Sequence, residues 1–93
     1  MMYVNRRTFI IKRGCTDEAV AMLVEGSAGS DARIYRTHYD PFDTVAFEIE
    51  APSMADMEAI WNDWQETPES VAFMQRWHAI TESGGTSEIW IRA

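Results

Sequence analysis

Val45, Phe47 and Ile49 alternate with Thr44, Ala46 and Glu48, and Ile89 and Ile91 alternate with Glu88, Trp90 and Arg92. A repeat of two sends successive side chains to opposite faces of a strand. Each segment therefore has one aliphatic face and one that carries charge and aromatics. Residues 3–12 are rich in β-branched and aromatic types and stop at Arg13-Gly14, which predicts a first strand. Residues 32–39 and 43–50 predict two more around Asp40-Pro41, a dipeptide suited to a turn. Ser87–Ala93 predicts a fourth, after a break at Gly84-Gly85.

Between these segments the period changes to that of a helix. Thr16 is a suitable N-cap, Asp17 and Glu18 follow where the helix dipole favours negative charge, and Val20, Leu23 and Val24 form a stripe beside Ala19. Gly26-Ser27-Ala28-Gly29-Ser30 ends that helix. Pro52-Ser53 opens a second, with Asp56 at the capping-box spacing and a stripe of Met57, Ile60, Trp61 and Trp64. Thr67-Pro68-Glu69 starts a further helix that runs to about Thr81. Val71, Met74 and His78 lie on one side of it, Phe73, Trp77 and Ile80 on another.

This order, strand–helix–strand–strand–helix–strand, predicts a ferredoxin-like α+β sandwich spanning 1–93 as a single domain: an antiparallel four-stranded sheet with helices on one face. The aliphatic strand faces belong under the helices. The other face, with Glu48, Glu88, Trp90 and Arg92, is too polar for a core and too aromatic for plain solvent. A second copy of the chain would cover it, making a homodimer; a monomer with a wet face is the alternative. The second strand admits two registers. A turn without an extra residue sets Arg33, Tyr35 and Thr37 opposite Glu48, Ala46 and Thr44. One bulged residue would bring Arg36 and His38 to the open face instead. Burying Arg36 and His38 under helices costs more than burying Tyr35, which favours the bulge.

Composition narrows the function. The net charge of −7 argues against binding a phosphate backbone. Charge is also uneven: residues 1–16 hold Arg6, Arg7, Lys12 and Arg13 without a carboxylate, whereas residues 37–75 hold nine carboxylates and no Lys or Arg. The lone Cys15 excludes an internal disulfide, and two histidines make a four-ligand zinc site improbable, so no metal is expected. No run of about 18 apolar residues and no signal-peptide pattern occurs, so a cytoplasmic protein is expected. No phosphate loop or nucleotide fingerprint is present.

Tyr3, Arg7, Thr8, Phe9, Lys12 and Gly14 resemble the opening strand of the NIPSNAP family and its relatives among the dimeric α/β-barrel proteins. Arg13 stands where that family usually has proline. The resemblance implies the same sandwich, a dimer built sheet to sheet, and ligand space between helices and sheet or inside the barrel. It implies no single chemistry, because monooxygenases, isomerases, decarboxylases and haem enzymes share the superfamily.

Three constellations follow. Glu48, Trp90 and Arg92, with Arg36 and His38 in the bulged register, would bind an acidic or phenolic molecule and move protons, His38 and Glu48 being the catalytic pair. The same charges would otherwise pair with each other and only fix a dimer's register. Asn5, Trp64 and His78 resemble the haem-degrading monooxygenases, with His78 as the iron ligand, although the interval from Trp64 to His78 contains the Thr67-Pro68 break and is too long. Cofactor-free antibiotic-biosynthesis monooxygenases suggest Asn5, Trp61, Trp64 and Trp90 around an aromatic substrate, while helical spacing makes Trp61 and Trp64 core residues. The leading expectation is a small organic ligand in a cleft and no cofactor, with haem as the alternative. A module that only dimerises or binds is the non-catalytic one.

Overall fold

The computed structural model describes every residue except Asp40, so the expected Asp40-Pro41 turn lies partly outside the described residues. Strands β1 (Met2–Ile11), β2 (Arg33–Arg36), β3 (Thr44–Ala51) and β4 (Thr81–Arg92) form one antiparallel sheet in the order β2-β3-β1-β4. Helix α1 (Thr16–Gly26) follows β1, and α2 (Met54–Gln65) and α3 (Pro68–Ile80) follow β3. This is the ferredoxin-like sandwich, with the second helical region split at Thr67-Pro68 as expected and β1 at the centre of the sheet.

Local chemistry explains the boundaries. The Asp56 amide donates to Ser53 Oγ at 3.1 Å, the N-cap half of a capping box, and the Ser53 hydroxyl donates to the Asp56 carboxylate at 2.9 Å. Pro68 occupies the first turn of α3, where its missing N–H is no loss. Thr16 does not cap α1: its hydroxyl donates to Asp43 Oδ1 at 3.2 Å, tying the helix start to the start of β3, and Cys15 takes the cap position.

The main core lies where α1 and α3 meet the sheet: Ala19, Leu23, Trp77 and Ile80 pack on Ile11 and Val45. A smaller cluster of Met57, Ile49 and Ala51 seats α2. Phe47 touches both. Val24 and Val71, expected in helix stripes, are exposed, because α1 and α3 bury the faces that hold Ala19 and Trp77 instead.

Two expectations are corrected. The unbulged register holds: Arg33 pairs with Glu48, Tyr35 with Ala46 and Arg36 with Val45. Arg36 thus lies on the helix side, but at the end of a four-residue edge strand, where it reaches Asp17 of α1 at 2.7 Å in solvent. It escapes the burial cost that had argued against this register. His38 falls beyond β2 and is exposed, its ring against Tyr39. Gly84-Gly85 does not precede the last strand; it lies inside it. β4 starts directly after α3, and the pair sits where the β1–β4 register shifts between Thr8 and Ile10.

Candidate functional site

The two core clusters do not close on each other. Between α1, α2, α3 and the sheet lies a cleft of about 420 Å³. Six aromatic rings pass along its wall in an unbroken series. Phe47 and Trp61 have centroids 6.1 Å apart, Trp61 and Trp64 6.5 Å, Trp64 and Phe73 5.4 Å, Phe73 and Trp77 5.5 Å, and Trp77 and Phe9 5.0 Å. Most adopt the edge-to-face geometry that the ring quadrupole favours. Trp61 and Trp64, at helical spacing on α2, are therefore wall rather than sealed core: both are only partly buried.

The odd positions of β1 face the helices, and two of them are polar. Asn5 is 2% exposed and uses its whole amide. Its oxygen accepts from Trp61 Nε1 at 3.0 Å and Arg7 Nε at 3.1 Å. Its nitrogen donates to Ser87 Oγ at 3.1 Å and the Glu88 carbonyl at 2.9 Å. Asn5 thus stitches β1, β4 and α2 together. It stands behind the cleft wall. Arg7 is in the wall, with its guanidinium carbon 3.7 Å from the centre of the Trp61 ring. Burial pushes the Arg7 pKa down, yet an arginine starts so high that it stays charged.

Among the described residues lining the cleft, Arg7 and His78 are the only ionisable ones. No carboxylate, tyrosine or cysteine joins them. His78 is exposed at the rim, on α3 with Met74 and Trp77.

The opposite face of the sheet is a ladder of ion pairs. Glu48 is 5% exposed and accepts from Arg6 at 2.5 Å, Arg33 at 3.4 Å and the Tyr35 hydroxyl at 3.3 Å. Burial alone would raise its pKa. The hydrogen bond and charge of Arg6, followed by Arg33 and Tyr35, more than offset that and hold the carboxyl below the usual range. Glu50 pairs with Arg33 at 2.5 Å and Arg92 at 3.1 Å. The two glutamates, Arg6, Arg33 and Arg92 line a hollow of about 340 Å³ with Trp90, which is 55% exposed.

The expected site residues thus divide between two faces. Glu48, Trp90 and Arg92 gather on the open face; Arg36 and His38 do not join them. Trp64 and His78 line the cleft on the other side, with Asn5 behind it, and Trp90 is remote from them. Sequence reasoning missed Arg7 as a site residue, although the signal was available. An arginine two positions from Asn5 on a central strand shares its face, and that face belongs to the helices.

No family model and no curated protein matches the sequence. Solved structures do match the fold. An uncharacterised NIPSNAP-domain protein from Burkholderia xenovorans superposes with a TM-score of 0.80 at 18% identity, over 98% of this chain and 94% of that one. A second NIPSNAP-like protein from the same organism gives 0.84 at 12% identity, over 99% and 85%. A candidate antibiotic biosynthesis monooxygenase from Chloroflexus aurantiacus gives 0.71 at 15% identity, over 100% and 96%. The chain has the ferredoxin-like fold that NIPSNAP and antibiotic-biosynthesis-monooxygenase structures share.

Proposed function

We propose that the protein binds a small aromatic molecule in the cleft between helices and sheet. The observation that carries this is the chain of six rings around a space of ligand size: binding clefts run from about 300 to 1,000 Å³, mostly apolar, with a few fixed polar groups. Arg7, held by Asn5 and backed by Trp61, supplies the fixed polar group. Evidence would come from titrating naphthol and naphthoate into the isotope-labelled chain. Shifts should concentrate at the Gly26 and Ser27 amides and the Trp61 and Trp64 indole N–H groups. Shifts confined to Trp90 and the open face would sink the proposal.

A second reading, catalysis in the same cleft, is favoured by His78. An imidazole can accept a proton, and no other general base is among the described residues that line the cleft. Proton transfer would then start with deprotonation of the bound molecule by His78; a monooxygenation, the activity that the Chloroflexus protein's description names, would need dioxygen as the oxidant of that anion. Turnover surviving in His78→Gln would refute that role.

The haem alternative uses the same cleft with a different geometry. It needs Asn5 on the ligand, while Asn5 is committed to Trp61, Arg7 and β4. It requires a Soret shift on adding hemin that disappears in His78→Ala.

A further inference from the structure

Arg7 is the one partly buried arginine that pairs with no acid among the described residues. Arg6 pairs with Glu48, Arg33 with Glu48 and Glu50, Arg36 with Asp17, Arg76 with Glu18 and Arg92 with Glu50. Arg13 is unpaired among the described residues but exposed, so water serves it. Arg7 is partly buried and donates only through Nε, to Asn5. Its terminal nitrogens donate to no described residue, in a chain with 15 carboxylates and only 8 lysines and arginines. Those nitrogens keep some contact with solvent, so the cation is only partly desolvated, and an anion entering the apolar space beside it would complete its hydrogen bonds.

Taking the cleft as the binding site proposed above, we infer that its ligand is an aromatic carboxylic acid. The carboxylate is held by the terminal nitrogens of Arg7 and the ring by Trp61, Trp64 and Phe73. Three features select this class. With Nε fixed by Asn5 and one face covered by Trp61, the guanidinium presents the fork that matches a carboxylate with two parallel hydrogen bonds. Arg7 is the one arginine or lysine among the described residues that line the cleft, which suits a monoanion and falls short of what a phosphate ester demands. The overall charge of −7 further disfavours polyanions. Finally, six rings make up most of the remaining wall, with Ser27, Ser30 and Thr81 its few other polar side chains besides His78, which suits a flat and largely apolar body.

The inference is tested by calorimetry on the full chain with naphthoate and naphthamide, which differ only in the charged group. A charge-assisted hydrogen bond is worth enough for roughly tenfold or more in affinity. The wild type should bind naphthoate at least that much more tightly than naphthamide. Arg7→Gln should cost naphthoate far more affinity than the amide and so remove the difference between the two, and Arg7→Lys should restore part of that difference. Because the acid–amide comparison is made in the wild type, it stands even if a variant fails to fold. Equal affinity for the two compounds would overturn the carboxylate assignment and leave the aromatic cleft intact. Failure of both to bind would overturn the cleft reading, and this inference with it.

Discussion

Arg7 and Trp61 share one acceptor: the side-chain oxygen of Asn5 takes the guanidinium Nε–H and the indole N–H together, while the guanidinium lies 3.7 Å from the indole centre. A cation over a tryptophan face contributes about 0.5–2 kcal/mol, more as water is excluded. The common acceptor fixes the angle between the two groups. The wall of the cleft is therefore pre-formed, and a ligand need not order it.

Asn5→Ala should unlock that wall. Two partly buried donors lose their acceptor, and each unsatisfied group costs about 1–3 kcal/mol. For a domain this small, each kcal/mol lowers the melting temperature by about 4–8 °C. Two such groups together cost about 2 kcal/mol or more, so calorimetric melting should show a fall of at least about 8 °C, and the Trp61 indole N–H resonance should move to its solvent-exposed position. An unchanged melting temperature would mean that the Asn5 bonds contribute nothing net.

Glu48 makes stability depend on acid. Its arginine partners hold the folded-state pKa below the ordinary carboxylate value of about 4.3. The unfolded chain therefore takes up this proton first as pH falls. The contribution is complete above the unfolded pKa and is lost as pH drops through the lower folded one. Glu48→Gln should lower the melting temperature at neutral pH and flatten its decline below about pH 5. Parallel curves for the two proteins across that acid range would show that Glu48 is not responsible.

How far the fold was legible depended on where each clue acted. Period-two alternation in β3, Ser53 with Asp56, and Pro68 after Thr67 are local signals, and each appears where it was expected. The register of β2 is not local. Solvation energy argued for turning Arg36 outward, but at the last position of a short edge strand a long side chain can leave the helix side altogether. The site was half legible for a similar reason. Helical spacing on α2 identifies which face Trp61 and Trp64 share, not whether a neighbouring helix closes over it. Asn5 stood out as a polar residue in a strand; that its amide would be consumed by Arg7, Trp61 and β4 depends on contacts far along the chain.

The Gly84-Gly85 pair shows the same limit and gives a sharp test. A Cβ on Gly85 would lie 2.2 Å from the Thr8 carbonyl oxygen, a backbone atom that cannot swing aside. Gly84 has φ of +106°, where side chains are strained. Gly85→Ala should therefore cost about 1–3 kcal/mol, as overpacking does. Hydrogen exchange should rise in β4 from Thr81 to Ser87 and leave the β2–β3 pairing protected. A wild-type exchange pattern would mean that the bulge tolerates a methyl group.

The open face bears on assembly, and its geometry makes assembly separable from the cleft. Trp90 is 55% exposed on the side of the sheet opposite the helices, beside Arg6, Arg33 and Arg92 set against Glu48 and Glu50. With Glu88 opposite Arg6 on the same face, these three positive and three negative charges balance, so two copies can approach without strong repulsion. A two-fold axis would lay each Trp90 against the other sheet. We therefore expect sedimentation at micromolar concentration to give twice the 10.7 kDa chain mass. Trp90→Glu, which sets a charge in the apolar part of that contact, should yield single chains. Because Trp90 and the six-ring cleft lie on opposite faces, Trp90→Glu chains that remain folded should keep their affinity for naphthoate. Loss of both properties together would tie the cleft to the dimer. A wild type that sediments as a monomer, with Trp90 emission typical of a water-exposed indole, would rule the paired sheets out.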